Sequence, residues 1–215
     1  MSTLAVSVAA SSTDLTTLQS AKDELGISGA SEDTYLGTAI DRASAMICSY
    51  LGVAVADDGT CTLGRETLVE TFRLPVELSE IMLARWPVTS ITSVVEDGET
   101  LAADEYEIDK RTGILRRLDG DDNVTLFSAA KIVVTYVAGY KLPGEVGRNL
   151  PHDIEAAVLE VIKAHRSSRT RDPLIKAEET AGLGRIEYWV GSTSTSSAMP
   201  PEAQMRLDAY RRPAV

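Results

Sequence analysis

Short β-strand patterns between residues 68 and 137 limit the possible folds of this chain more than any other feature. Two of these patterns, residues 88–95 and 131–137, consist almost entirely of β-branched, hydroxyl and aromatic residues, which suit a pleated sheet. Asp97-Gly98 lies just after the first pattern and is a strong signal for a tight hairpin turn. Because turns this short join antiparallel neighbours, the sequence predicts an antiparallel β meander over residues 68–137.

Helical patterns lie on both sides of this region. The longest has apolar residues every three or four positions from Leu36 to Leu51, and Gly52 is a suitable end. Pro151 starts another, because proline is favoured at the first helical position. The predicted fold is therefore α+β, with N-terminal helices, an antiparallel β meander, a third helix, and an extended C-terminal arm with a short helix. The predicted helices are residues 17–26, 31–52, 151–169 and 202–212.

The same patterns divide the chain into three predicted segments. Residues 1–14 are an N-terminal tail, because the first twelve are small and hydroxylated and have no helical period. We expect this tail to be ordered only against a partner. Residues 15–171 form the predicted core domain. Residues 172–215 form a C-terminal extension that ends in the short last helix.

The charge of the chain argues against two classes of partner. Its 21 basic and 32 acidic residues give a net charge of −11. Such a chain is repelled by nucleic-acid phosphates and by anionic membranes. No run of about 18 apolar residues occurs, so no membrane span is expected. The two cysteines are too few for a disulfide scaffold, and Cys48 lies on an apolar helix face, so we expect a buried thiol and a reducing cytoplasm.

A catalytic function has little support in the sequence. Residues 96–109 carry seven acidic residues and no basic one, so a hydrolase that uses paired carboxylates is one interpretation. A solvated hairpin is the commoner explanation of such a stretch. The pattern Asp119-x-Asp121-x-Asn123 lacks the glycine and glutamate that a calcium loop requires. Neither a nucleophile elbow nor a phosphate-binding glycine loop is present. We therefore predict no enzyme activity, catalytic residue, metal or cofactor.

A run of basic residues at the end of the third predicted helix has two interpretations. Lys163, Arg166, Arg169 and Arg171 have no acidic residue between them. The run is either a nucleic-acid-binding patch or a salt-bridged or inter-subunit face. The net charge and the lack of interleaved aromatic residues favour the second. Arg166, Arg169 and Arg171 are therefore candidates for a subunit interface.

Several stretches of the sequence together resemble one known protein family. The long helix ends in Ser-Tyr-Leu-Gly at residues 49–52, and Arg-Trp-Pro precedes the strand and turn of residues 88–98. The chain resembles the head–tail connector proteins of tailed bacteriophages and gene-transfer particles, also called adaptor or head-completion proteins. The resembling stretches are residues 15–25, 34–52, 85–98, 104–117, 131–140, 151–169 and 200–212.

The resemblance implies a structural function. Such proteins form a ring, usually dodecameric, beneath the portal in the neck of the virion. The ring extends the DNA channel and joins the head to a stopper or tail-terminator protein, and it assembles in the host cytoplasm. DNA passes through the lumen without specific binding. Family members often bind the portal through their C-terminal segment, which corresponds here to Met205, Leu207, Tyr210, Arg211 and Arg212.

An acidic lumen is a further expectation. Residues 96–122 hold ten acidic and four basic residues. Repeated around a ring, this excess would repel the phosphates of passing DNA. We therefore expect the basic run of residues 163–171 to lie away from the channel wall. The candidate lumen residues are Glu96, Asp97, Glu99, Asp104, Glu105, Asp119, Asp121 and Asp122.

Overall fold

The computed structural model describes residues 2–128, 131–168, 177–180, 184–187 and 199–211. The chain forms two compact units, which we call the sheet unit and the helical unit. The sheet unit comprises Met1–Thr13 and Gly52–Asn149, and the helical unit comprises Asp14–Leu51 and Leu150–Val215. Each unit is thus made from separate stretches of sequence. The division into segments 1–14, 15–171 and 172–215 stays a prediction.

The described residues of the sheet unit form two antiparallel sheets. The predicted α+β class is confirmed. The sheets contain β strands in the orders β1-β2-β8-β4-β5 and β3-β7-β6. Strands adjacent in a sheet are thus often distant in sequence, so the connectivity differs from that of a simple meander. The strands are β1 (Ser2–Val8), β2 (Glu66–Arg73), β3 (Glu80–Met82), β4 (Val88–Glu96), β5 (Glu99–Thr100), β6 (Tyr106–Asp109), β7 (Ile114–Arg117) and β8 (Lys131–Ala138).

The burial of β8 explains why this strand lies in the middle of its sheet. Every second residue of β8, from Ile132 to Ala138, is fully buried, and most of the others are half-buried. A strand that is covered on both faces is stable in the middle of a sheet, between β2 and β4. Tyr136, Phe127, Leu68 and Leu115 are among the largest fully buried side chains of the sheet core.

The first residues of the chain differ from the prediction. Residues 2–8 form β1 and pair with β2 of the same chain, from Ser2 opposite Phe72 to Val8 opposite Thr67. The prediction that they are ordered only against a partner was wrong. Leu4, Val6 and Val8 alternate with smaller residues, and Leu4 is buried. Apolar residues at every second position are the pattern of a strand, although this pattern covers only a few residues.

The described residues of the helical unit form four α helices, as the sequence predicts. They are α1 (Leu18–Leu25), α2 (Asp33–Tyr50), α3 (His152–Ser168) and α4 (Pro201–Leu207), and a 3-10 turn follows at Asp208–Tyr210. The predicted helix over residues 17–26 is confirmed as α1, because the Thr17 hydroxyl caps its start by accepting a hydrogen bond from the Ser20 amide, and Gly26 ends it with a φ of 64°. The predicted apolar face of α2 is buried at Leu36, Ile40 and Ile47, and α3 buries Ile154, Val158 and Ile162.

The C-terminal extension also contains β9 (Ala177–Thr180) and β10 (Gly184–Glu187), which pair antiparallel with each other. Within the described residues, none of the helices is both long and apolar enough to cross a membrane.

Candidate docking surfaces

The last helix is fixed to the helical unit by buried apolar side chains. Helix α4 packs against α3, and Met199, Ala203 and Leu207 are buried. Leu207, which was predicted to bind the portal, therefore contributes to the core of this unit. Met205 lies on the opposite side of the helix, and 77% of its surface is exposed. Of these two apolar side chains, only Met205 is available to a partner.

Polar contacts reinforce this position of the C-terminal segment. Arg206 Nε lies 2.9 Å from Glu160 Oε1, and the Tyr50 hydroxyl donates to Asp208 at 2.6 Å. Burial, followed by this hydrogen bond, raises the pKa of Tyr50. The Arg211 guanidinium lies 5.0 Å from the centre of the Tyr50 ring, within range of a cation–π contact.

The other predicted portal-binding residues differ in what the structure shows of them. The Tyr210 hydroxyl donates to Asp153 at 3.3 Å, and Tyr210 remains half-buried. Arg211 is exposed, whereas Arg212 lies outside the described residues. Of the predicted portal-binding residues that the structure describes, the accessible ones are therefore Met205, Arg211 and part of Tyr210.

Most of the predicted acidic lumen residues lie in solvent-exposed turns of the sheet unit. Asp97 and Gly98 form the predicted tight turn between β4 and β5, and both have positive φ values of 48° and 92°. The carboxylate of Asp119 accepts hydrogen bonds from the amides of Asp121 and Asn123, each at 2.9 Å. Hydrogen bonds from Asn123 and Asp121 lower the pKa of Asp119. The exposed members of the predicted set are Asp97, Glu99, Asp104, Asp119, Asp121 and Asp122.

The remaining two acidic residues of the set, Glu96 and Glu105, are paired with Arg117. Arg117 Nε lies 3.0 Å from Glu96, and its Nη2 lies 3.3 Å from Glu105. Ser128 donates to Glu96 from its amide and its hydroxyl. Burial by itself would raise the pKa of Glu96, but the bonds from Ser128 and Arg117 together lower it. Arg117 therefore offsets one of the two negative charges of this cluster.

An open groove of about 700 Å³ lies beside this ion-pair cluster. Glu77, Glu99, Leu101, Arg117 and Leu126 are among the residues that line it. A general acid needs a raised pKa, but the shifted carboxyl group of this groove, Glu96, has a lowered one. Across the part of the chain that the structure describes, no cluster of three histidine, cysteine or acidic side chains is arranged to hold a metal.

The basic run at the end of α3 makes ion pairs within the helical unit. Arg166 lies 2.9 Å from Glu32, and Lys163 lies 3.4 Å from Glu24. These contacts match the salt-bridged alternative of the sequence interpretation. Arg169 and Arg171 lie outside the described residues. Their assignment to a subunit interface stays a prediction.

The sequence interpretation missed a charged network inside the sheet unit. Glu66, Glu70 and Arg85 are at most 3% exposed. Arg85 Nη1 lies 3.6 Å from Glu66, and the same guanidinium donates to the carbonyl groups of Thr60 and Thr62. Burial raises the pKa of Glu66, although Arg85 partly opposes this effect.

Tyr136 connects the second carboxylate of this network to the core. Its hydroxyl donates to Glu70 at 2.9 Å, and burial raises the pKa of Tyr136. The sequence did contain a signal for these buried carboxylates. Glu66 and Glu70 occupy every second position of β2 together with Leu68 and Phe72, so all four face the same side of the strand. An acidic residue at an inward-facing position of a strand needs a buried partner.

Two solved structures have a similar fold. One is a chain of "Neck of empty GTA particle computed with C6 symmetry", with a TM-score of 0.57 and 16% identity, covering 99% of this chain and 96% of that chain. The other is a chain of "Virion of native gene transfer agent (GTA) particle", with a TM-score of 0.53, 16% identity and the same coverage. At this level of identity the likeness shows a shared fold.

Comparison of the sequence with known proteins gives the family. No curated protein matches the chain. The family model described as "Head completion protein" matches residues 14–213. This match confirms the predicted resemblance and the assignment to structural proteins rather than enzymes. The chain therefore belongs to the head completion protein family.

Proposed function

We propose that this protein is a structural adaptor in the neck of a bacteriophage or gene-transfer particle. Its copies form a ring beneath the portal, extend the DNA channel and join the head to a stopper or tail-terminator protein. The observation that carries this proposal is the family match over residues 14–213, because it spans both units of the fold. The likeness to chains from gene transfer agent particles over 99% of this chain supports the same function. The copy number that we propose is twelve, from the family resemblance.

The C-terminal segment is the proposed contact with the portal. Met205 and Arg211 are exposed next to side chains that hold α4 in place. An exposed apolar side chain beside an arginine is a suitable interface anchor. Leu207 acts indirectly in this proposal, because its burial keeps α4 folded and presents Met205. Removal of residues 200–215 would therefore damage the helical unit as well as the contact, so point variants are the better test.

The test uses purified portal and variants of the full chain. Met205→Asp places a charge at an exposed position and is expected to leave the melting temperature unchanged while it weakens portal attachment at least tenfold. Glu202→Gln is the matched control, because Glu202 is exposed on the same helix. Attachment is measured by co-sedimentation and imaging of the complexes. Attachment of Met205→Asp at the wild-type level would place the anchor in another segment.

The acidic turns are the proposed lining of the lumen. Six exposed carboxylates per copy would repeat around the ring and repel DNA phosphates. Glu96 and Glu105 contribute less, because both are paired with Arg117, which offsets one of their two negative charges. The basic run lies in a subunit or portal interface in this proposal. The check is the structure of the assembled ring, and a lumen lined mainly by Arg166, Arg169 and Arg171 would overturn it.

A further inference from the structure

Two arginines of the C-terminal segment are held in different ways. Arg206 Nε lies 2.9 Å from Glu160 Oε1, and its Nη1 lies 3.9 Å from Asp153, so its charge is offset within the helical unit. The ion pair that the described residues show for Arg211 is a longer one, because its Nη1 lies 4.0 Å from Asp208. The side chain of Arg211 also remains 55% exposed. Of these two arginines, Arg211 is therefore the one whose charge is available to a partner.

The aromatic ring of Tyr50, the last residue of α2, fixes the direction of the Arg211 side chain. The guanidinium carbon lies 5.0 Å from the centre of the ring, which is a cation–π distance. The Arg211 amide donates to the Asp208 carbonyl at 3.3 Å and so fixes the backbone directly after the 3-10 turn. A long side chain loses conformational entropy when it binds, and one that is already held in place loses less. The ring contact therefore prepares Arg211 for binding.

The hydroxyl of Tyr50 engages the carboxylate that would otherwise offset the charge of Arg211. It donates to Asp208 Oδ1 at 2.6 Å, and the same oxygen is the one 4.0 Å from Arg211 Nη1. Burial, followed by the hydrogen bond and the charge of Asp208, raises the pKa of Tyr50, so the hydroxyl remains a donor at neutral pH. A strong arginine–carboxylate pair is close and often bidentate, and this one is neither. Arg211 is thus oriented but not neutralised.

The charges along this segment favour a protein over a nucleic acid as the partner of Arg211. Asp153 and Asp208 are each 60% exposed, and Glu202 is exposed on α4. The phosphates of DNA form a continuous line of negative charge, which these carboxylates repel. A protein surface can instead place a single carboxylate against the arginine. A carboxylate also matches the planar fork of a guanidinium with two parallel hydrogen bonds.

We propose that Tyr50 positions Arg211 as the charged anchor of the C-terminal segment, and that the portal surface which receives it presents a carboxylate. Tyr50 is a positioning residue, because it acts through Arg211. Since Met205 is exposed on the same segment, the receiving surface combines an apolar pocket with this acidic group. This assignment rests on the proposed portal contact and adds the residue that orients its charge and the chemistry of the surface that it meets.

Point variants of the full chain, mixed with purified portal in the absence of DNA, test the anchor. Arg211→Gln is expected to weaken attachment about tenfold at an unchanged melting temperature. Arg211→Glu is expected to attach about tenfold more weakly still, because it brings a like charge to the proposed carboxylate. Arg42→Gln is the matched control with wild-type attachment, since Arg42 is exposed on α2 in the same unit. If Arg211→Glu attaches as well as Arg211→Gln, or better, the receiving surface is not acidic and the proposal is overturned.

A double-mutant cycle tests whether Tyr50 acts through Arg211. Tyr50→Leu removes the ring and the hydroxyl and is expected to weaken portal attachment about fivefold, whereas Tyr50→Phe keeps the ring and is expected to fall between this variant and the wild type. In the Arg211→Gln background, Tyr50→Leu is expected to have no further effect on attachment, because the side chain that it positions is gone. A merely structural role would weaken attachment equally in both backgrounds, and that result would overturn the positioning role.

Further outcomes separate this anchor from the portal contact itself. Wild-type attachment of Arg211→Gln, together with weakened attachment of Met205→Asp, would overturn the anchor and leave the proposed contact intact. Duplex DNA is the probe for the alternative partner, and a DNA mobility shift that is lost in Arg211→Gln while portal attachment is unchanged would assign Arg211 to phosphates and overturn the proposal. A wild-type chain that does not attach to the portal would overturn the proposed function, and the anchor with it.

Discussion

The two units of the molecule bury different kinds of polar group. Within the described residues, the sheet unit buries Glu66, Glu70 and Arg85, whereas the buried polar side chains of the helical unit are the uncharged Thr16 and Ser44. The charged pairs of the helical unit, such as Arg166 with Glu32, are at least partly exposed. A buried charge is costly once its partner is removed, whereas a surface pair contributes little. The sheet unit is therefore the one that depends on particular charged residues.

Removal of Arg85 is the strongest test of whether the sheet unit depends on a buried charge. Arg85→Met leaves Glu66 buried without its cation and is expected to lower the free energy of unfolding by about 3–5 kcal/mol. Arg116→Met is the control, because Arg116 forms an exposed pair with Glu80, and about 0–1 kcal/mol is expected there. Urea unfolding measures both. Equal effects of the two variants would mean that the buried pair has no special role.

Truncation of Leu207 tests whether the helical unit depends instead on apolar burial. Leu207→Ala removes a fully buried side chain from α4, and a loss of about 2–4 kcal/mol is expected. Met205→Ala, on the exposed side of the same helix, is expected to change stability by less than about 0.5 kcal/mol. Thermal unfolding followed by circular dichroism compares them. A similar loss for both would contradict the packing of α4 on α3.

Two carboxyl groups of the sheet unit are expected to respond oppositely to pH. The lowered pKa of Glu96 means that its contribution to stability is present above its unfolded pKa and is lost as the pH falls through its folded pKa. Glu96→Gln should therefore cost about 1–3 kcal/mol at neutral pH and progressively less in acid.

Glu66 provides the matched comparison for this experiment. Its raised pKa means that the protonated form stabilises the fold below the unfolded pKa, and this stabilisation is lost as the pH rises through the folded pKa. The wild-type chain should gain stability relative to Glu66→Gln as the pH falls, the reverse of the result for Glu96→Gln. Urea titrations from pH 3 to pH 8 measure both differences. Parallel pH profiles would contradict the opposite environments of the two groups.

The smallest expected effect concerns the surface pairs of the helical unit. Arg166→Ala removes a partly exposed contact with Glu32, and a loss below about 1 kcal/mol is expected, decreasing further at high salt. Urea unfolding at two salt concentrations provides the measurement. A larger, salt-independent loss would show that this face is as dependent on charge as the sheet unit.

Much of the helical unit could be predicted because its signals are local. The Thr17 cap, the Gly26 end and the apolar faces of α2 and α3 each depend on residues within a few turns of one another. The Asp97-Gly98 turn was predictable for the same reason. Residue spacing along one element was sufficient in these cases.

The sheet order and the buried network could not be predicted in the same way. The position of β8 between β2 and β4, and the pairing of β1 with β2, join residues that are distant in sequence. The alternation of β2 indicates that Glu66 faces inward, but its partner Arg85 lies outside the strands, and the sequence gives no signal that brings the two together. The exposure of Met205 and the burial of Leu207 likewise required the packing of α4 on α3.

The interleaving of the two units affects how the chain can fold while the ribosome makes it. The strand β1 emerges first, but its neighbour β2 and the central strand β8 emerge much later, after the first two helices. Helices α1 and α2 lack their packing partner until α3 is translated, which happens after β8. Neither core is complete in a nascent chain that stops before β8. Products that terminate before β8 therefore expose apolar surface and are prone to aggregation and proteolysis.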